Sequence, residues 1–383
     1  MNAYSVGVHS GTSMDGINVV LISVESVGKE RDKIEVIKFQ EMPYSAELRR
    51  DVISLASGKP VTLEEVASMS FRVGMAFGDA AAKFIESCGI PAEKIEVIGS
   101  AGQTVFHNPQ GNTPCTLQIG EGDFIAEKTG TDTVSSFFPR DMAAGGEGAP
   151  LMQVGDYMLW SDPNGKENRL GLNTGGIANF VYLRAGGSIN DVIAFDTGPC
   201  NMLLDALARK LTDGKETCDK DGKRASQGKV SSELLEELMR DPYVNRKPPK
   251  STGRVNFGEK KLKYIMELAD NLGVQGNDLF ATLTAFTAES IAYNRRQFIG
   301  PVDKTIVYGG GAKNPAIMRL LKEKLENIVS PEEFGIPIEA REAIGMAYLA
   351  HRRVHSLQTN VPLSTGSRHP VSAGKISLGK LKT

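Results

Sequence analysis

Val6-Gly7-Val8-His9-Ser10-Gly11-Thr12-Ser13-Met14-Asp15-Gly16-Ile17-Asn18-Val19-Val20-Leu21-Ile22 joins two apolar, β-branched runs through a loop of glycine, serine, threonine and one aspartate. The flanks read as the two strands of a hairpin. Gly11 and Gly16 permit the positive-φ conformations in which backbone N–H groups converge on an anion, so the loop reads as a phosphate holder. Asp15 then stands beside the phosphates, where a carboxylate holds Mg²⁺ directly or through water. For this segment taken alone, an ordinary hairpin with a polar turn is the competing reading.

A chain of 383 residues exceeds the size at which one core keeps growing, so two domains with a ligand cleft between them are expected. Hydrophobic residues make up 40% and charged residues 23%, as in ordinary globular proteins. No apolar run approaches the ~18 residues needed to span a bilayer, so no membrane insertion is expected. A net charge of -2, with basic residues scattered, leaves no footprint for nucleic acid. The start of the chain enters a strand at once, without a basic-then-apolar leader. Cys88, Cys115, Cys200 and Cys218 lie far apart, with no C-x-x-C and no zinc-like spacing, which suits a reducing cytoplasm. His351 and His355 have i,i+4 spacing, but the Arg-Arg-Val between them lacks the glutamate of a metalloprotease helix; the pair reads as a solvent-facing helix end.

A strand at 33–41, helices near 45–57 and 63–88, and the strand Ile95-Glu96-Val97-Ile98-Gly99-Ser100 follow, the last running into Ala101-Gly102-Gln103-Thr104. The opening pattern then recurs. Val6-Gly7-Val8-His9-Ser10-Gly11 matches Leu170-Gly171-Leu172-Asn173-Thr174-Gly175 class by class, and Gly176 leads into a second return strand. The strand ending at Asp196, with Asn201 as an expected helix N-cap, reads as the counterpart of 95–102. A third unit, Thr305-Ile306-Val307-Tyr308-Gly309-Gly310-Gly311-Ala312-Lys313-Asn314, precedes a helix at 316–325, whose N-terminus favours an anion. Residues 218–258 read as surface excursions around one helix at 231–240. The duplication places one domain at 1–128 plus 353–383 and the other at 129–352. No P-loop, dinucleotide fingerprint or nucleophile elbow occurs. Two glycine hairpins and a third glycine loop resemble the way the actin and hexokinase superfamily holds ATP. The expected fold is therefore α/β, with two ribonuclease-H-like domains and an ATP/sugar cleft.

The resemblance sharpens when seven segments are taken in order: 11–17, 102–105, 145–151, 173–179, 195–201, 247–254 and 309–314. Together they resemble the anhydro-N-acetylmuramic acid kinase family, whose levoglucosan kinase relatives share most of these motifs, and the likeness covers essentially the whole chain. It implies a cytoplasmic, homodimeric, ATP-dependent kinase of cell-wall sugar recycling. Such an enzyme opens the 1,6-anhydro bridge of 1,6-anhydro-N-acetylmuramic acid and phosphorylates O6, giving N-acetylmuramic acid 6-phosphate. By the same matching, Gly11, Thr12, Ser13, Met14, Asp15, Gly16, Ile17 and Asn18 form the ATP phosphate loop, with Mg²⁺ near Asp15. Gly175, Gly176, Gly309, Gly310, Gly311 and Asn314 supply further nucleotide contacts. Asp196 matches the base, and Gln103, Arg140, Asp141 and Glu342 fall to the sugar.

One carboxylate suffices for that reaction. The base activates a water toward C1, the bridge oxygen released from C1 becomes the nucleophile toward phosphorus, and phosphoryl transfer replaces a general acid. Ala101, Phe138, Cys200, Glu147 and Asn18 stand where the family commonly has histidine, arginine, glycine, glutamine and aspartate. Losing a cation and an imidazole removes donors to an anionic sugar. A levoglucosan-type neutral sugar, a kinase acting on a free hydroxyl, and an ATP-binding protein without sugar turnover therefore stay open as alternatives.

Overall fold

The computed structural model describes residues 3–11, 14, 16–26, 31–56 and 60–380; Thr12, Ser13 and Asp15 of the first glycine loop lie outside the described residues. The chain forms two compact units, one of Met1–Leu159, Ser188–Asn190 and Gly335–Thr383, the other of Trp160–Gly187 and Asp191–Phe334. The first holds β1 (Ala3–His9), β2 (Ile17–Ser26), β3 (Asp32–Met42), β4 (Ile95–Ser100), β5 (Gln103–Asn108), β6 (Cys115–Ile119) and β7 (Thr133–Ser135). The second holds β8 (Arg169–Thr174), β9 (Ile177–Leu183), β10 (Ile193–Pro199), β11 (Lys304–Tyr308) and β12 (Ile328–Val329), after which β13 (Lys375–Ser377) returns to the first. Residues 129–159 and 335–352, expected in the second domain, group with the first unit, because β7 extends its sheet and helix Arg341–Val354 packs on β1, β2 and β4.

The first sheet has the order β13-β7-β4-β1-β2-β3, the second β10-β9-β8-β11-β12. In each, an antiparallel meander (β1-β2-β3; β8-β9-β10) gains a parallel strand on its far side, β4 beside β1 and β11 beside β8. The duplication seen in the hairpins is thus a duplication of topology. One pairing is corrected: β10 runs antiparallel to β9 and is the counterpart of β3, whereas β11 is the counterpart of β4. The likeness of β10 to β4 lies in the glycine-bearing loop after each strand and not in strand direction.

Val6, Val8, Val19 and Leu21 share a core with Val73, Phe77, Ala81 and Phe84 of helix Leu63–Cys88. A capping box starts that helix: Thr62 Oγ1 accepts from the Glu65 N–H at 3.2 Å, and the Glu65 carboxylate accepts from the Thr62 N–H at 2.6 Å. Strand alternation turns Gly7 to the opposite face, beside its register partner Gly99. There helix Arg341–Val354 lies so close that a Cβ on Gly7 would overlap the Ala343 carbonyl and one on Gly99 the Met346 carbonyl. Two glycines on neighbouring strands make the seat of this helix.

In the second unit, Leu170, Leu172, Phe180 and Phe195 pack with Phe280, Phe286 and Ile291 of helix Gly276–Phe298, which is buried over most of its length. Residues 218–258 are more than surface excursions. Helices Lys223–Gln227, Ser232–Met239, Pro242–Asn245 and Arg254–Phe257 carry Ala225, Leu234, Leu238, Val244 and Phe257 into that core. Sparse apolar anchors among many charges concealed them. The third glycine unit leads into helix Pro315–Lys322, capped by Asn314, whose Oδ1 accepts from the Ala316 N–H at 3.0 Å. His351, expected at a solvent-facing helix end, is buried, while His355 is exposed. Among the described residues no helix is long and apolar enough to cross a membrane.

Gly99→Ala forces the helix off its seat and is expected to cost about 3 kcal/mol by urea denaturation; a loss under about 1 kcal/mol would show that the seat yields freely.

Candidate active site

In the first unit β1 and β2 present the loop between them. Met14 takes φ 56°, its N–H donates to the Gly11 carbonyl at 3.1 Å, and its own carbonyl accepts from Arg49 Nε at 2.8 Å. Gln103 donates to the Gly11 carbonyl at 3.4 Å, and its Oε1 accepts from the Tyr44 hydroxyl at 3.4 Å. Burial pushes that hydroxyl up to about 12, so it keeps its proton at neutral pH. Gln103, expected at the sugar, is fully buried and braces the glycine loop. Gly11, Met14 and Gly16 lie in the turn and Ile17 and Asn18 open β2, with Asn18 anchored through its amide to the Glu339 carbonyl at 3.1 Å.

At the end of β1, His9 Nε2 meets the Glu342 carboxylate at 2.9 Å. Burial alone would raise Glu342, but the charge and hydrogen bond of His9, with Arg341 behind, hold it down at about 2. Arg341 is itself fixed by a buried carboxylate, its Nε donating to Asp156 Oδ1 at 2.7 Å. His9 Nδ1 is buried and has no partner among the described residues. Glu342 is thus brought to the loop, whereas Asp141 belongs to another network. Asp141 is fully buried; its Oδ1 accepts from Asn360 Nδ2 at 2.6 Å and the Thr365 hydroxyl at 2.8 Å, and its Oδ2 from the Gly148 N–H at 2.9 Å. It shapes the 145–148 loop. Arg140 is exposed on helix Phe138–Ala143.

In the second unit Asp196 lies at a register break of β10, where one extra residue stands opposite β9. Its Oδ2 accepts from the Thr252 N–H at 2.8 Å, its N–H donates to the Lys250 carbonyl at 3.1 Å, and its carbonyl accepts from the Tyr243 hydroxyl at 3.1 Å. Lys250 is only 2% exposed. Its ammonium donates to the Val244 carbonyl at 3.0 Å and lies 5.0 Å from the Tyr243 ring centroid and 5.4 Å from that of Phe298. Burial pushes it down to about 8 against the pull of Asp196.

The two glycine loops of this unit are tied together. Thr174 Oγ1 donates to the Tyr308 carbonyl at 2.6 Å, and Asn201 Nδ2 donates to the carbonyls of Thr174 at 2.9 Å and Gly175 at 3.0 Å. Asn201 is therefore the first residue of helix Asn201–Leu211 and a clamp on the Gly175-Gly176 turn, not its side-chain cap. Gly309 has φ 88°, and a Cβ there would overlap the Asn173 side chain; one on Gly311 would fall 2.8 Å from the Thr174 carbonyl, so Gly309-Gly310-Gly311 nests against the turn. Asn314 serves as a helix cap. Nothing local in the sequence singles out Lys250, Tyr243 or His9. Lys250 lies in Lys247-Pro248-Pro249-Lys250, a composition that reads as exposed loop, and its membership of one of the seven ordered segments was the available signal.

Two sheets that share one core topology, one in each unit and each opened by a glycine-bearing hairpin, define a ribonuclease-H-like α/β fold. The family model described as "Anhydro-N-acetylmuramic acid kinase" matches residues 3–379. A relative of that name from Caldanaerobacter subterraneus subsp. tengcongensis is 41% identical, over 97% of this chain and 96% of its own. Another, from Bacillus thuringiensis subsp. konkukian, is 38% identical over 99% and 100%. Among solved structures, the activator of the 2-hydroxyisocaproyl-CoA dehydratase from Clostridium difficile with bound ADPNP is similar with a TM-score of 0.42 at 13% identity, covering 92% of this chain and 96% of that one. The chain belongs to the anhydro-N-acetylmuramic acid kinase family.

Glu342 contributes stability that is complete above the ordinary glutamate value of about 4.3 and is lost as pH falls toward about 2. Glu342→Gln should flatten the stability profile in that window, measured by urea denaturation at a series of acidic pH values. Lys250 has the opposite sense: the folded chain releases its proton at about 8, before the unfolded chain does near ~10.4, so stability rises with pH across that interval. Lys250→Met should abolish the rise; a profile identical to wild type would show that the ammonium is not held as described.

Proposed function

We propose that the protein is an ATP-dependent kinase that hydrolyses the 1,6-anhydro bridge of 1,6-anhydro-N-acetylmuramic acid while phosphorylating O6, yielding N-acetylmuramic acid 6-phosphate in cell-wall sugar recycling, and that it works in the cytoplasm as a homodimer. The observation that carries the reading is the fixed carboxylate of Asp196, with one oxygen held by the Thr252 N–H and its backbone held by Lys250 and Tyr243. A base held in one orientation suits proton removal from a water directed at C1.

In this reading Asp196 takes that proton as the water attacks C1, the C1–O bridge bond breaks, and the released O6 attacks the γ-phosphorus of ATP. The loop at 11–18 and the glycine turns at Gly175-Gly176 and Gly309-Gly310-Gly311 are the proposed holders of the phosphates. Asp15 is the proposed ligand of a Mg²⁺ that would neutralise phosphate charge when ATP is bound. Glu342, fixed by His9, faces the sugar, and Arg140 is the cation for the lactyl carboxylate.

Coupled ADP release with 1,6-anhydro-N-acetylmuramic acid or levoglucosan, run in ¹⁸O-water, tests this. The expected result is turnover of the amino sugar, ¹⁸O at C1 of the product, and a rate loss of roughly 10²- to 10⁴-fold in Asp196→Asn. Turnover of levoglucosan alone would overturn the substrate, an unlabelled C1 would overturn the role of Asp196, and sugar-independent ADP release would overturn the kinase reading itself.

A further inference from the structure

A second cluster of chemically competent side chains lies in the first unit, on the face where helix Arg341–Val354 meets β4. His351 and His355, one helical turn apart, converge on the two oxygens of a single carboxylate: His351 Nδ1 is 2.6 Å from Glu96 Oε2 and His355 Nε2 is 2.8 Å from Glu96 Oε1. The two imidazole rings are 4.6 Å apart between centroids, and the three ligand atoms all fall within 4.8 Å of one another. Exposure grades outward, from 8% for the His351 side chain through 27% for Glu96 to 49% for His355, which leaves an entry path from solvent.

The geometry points to a divalent transition-metal site formed by Glu96, His351 and His355, with Zn²⁺ as its natural occupant. A tetrahedral ion with bonds of ~2.1 Å needs donors roughly 3.4 Å apart, which small rotations of the exposed His355 and of Glu96 supply. Two imidazoles and one carboxylate select a borderline ion over Ca²⁺ or Mg²⁺, which need more oxygen donors. Three protein ligands leave the fourth position to water. The neighbouring cations are engaged elsewhere, Arg353 Nε on the Gly374 carbonyl at 2.9 Å and Arg352 Nε on the Gln358 carbonyl. An ion here staples the C-terminal half of the helix to β4 and fixes the element that carries Glu342.

The test uses the full-length protein with Cys115 and Cys218, both exposed, changed to serine so that thiolates do not compete. After chelator treatment, Zn²⁺ is titrated calorimetrically, Co²⁺ is followed by its visible spectrum, and Tm is measured with and without Zn²⁺. The expected result is one equivalent bound, a tetrahedral Co²⁺ spectrum, a Tm raised by Zn²⁺, and at least a tenfold loss of affinity in both His355→Ala and Glu96→Gln. His355 is half exposed at the helix end, so its truncation leaves folding intact. No binding, or binding unchanged in His355→Ala, would overturn the site and leave the cluster as a hydrogen-bonded trio.

Discussion

Helix Arg341–Val354 sits on the first sheet through a close approach of backbone to backbone. Gly7 and Gly99, side by side on parallel strands, remove the two Cβ atoms that would hold helix Arg341–Val354 away from the sheet. Only because the helix lies that low does its first turn bring Glu342 to His9, and only because Arg341 is locked to the buried Asp156 does that turn keep its direction. A hydrophobic contact could have joined helix to sheet with more buried area. It would also have moved the Glu342 carboxylate by the thickness of a side chain, out of reach of His9.

The second unit solves the same problem with chemistry instead of contact. Lys250 supplies little as an exposed charge would; it is a cation enclosed by aromatic faces and carbonyl dipoles, and its role is to fold its own loop back against β10. The loop in turn presents the Thr252 N–H to Asp196. Position comes from a partly buried network in which Lys250, Tyr243, Thr252 and Asp196 are each hydrogen-bonded, the condition under which such networks specify one conformation. Asn201 and Thr174 do the equivalent for the glycine turns.

Much of this was legible in the sequence. The hairpin grammar of 6–22 and 170–183 gave the duplicated topology, because alternation and glycine spacing are local signals. The strand at Asp196 was matched to the wrong counterpart, because strand direction depends on long-range pairing that no local pattern carries. The helices within 218–258 were hidden for a related reason: five apolar anchors among many charges are enough for a large core to recruit, but too few to show a period. Candidate site residues divide the same way. Asp196 and the glycine loops are marked by motif, whereas the contacts of Gln103 and Asp141 with loop backbone depend on which atoms lie near them in space.

Asp141 ties residues read early by the ribosome to residues read late. Its carboxylate is satisfied by Asn360 and Thr365, more than two hundred positions downstream, and β13 pairs with β7 across a similar interval. Between them the ribosome makes the whole second unit. During synthesis the first unit therefore waits, with a buried acid lacking its two downstream donors and a sheet edge lacking its last strand, until the intervening unit has emerged and had time to fold. A chain truncated before residue 360 would keep every motif of the glycine loops and yet leave Asp141 Oδ1 without the Asn360 and Thr365 donors that satisfy it.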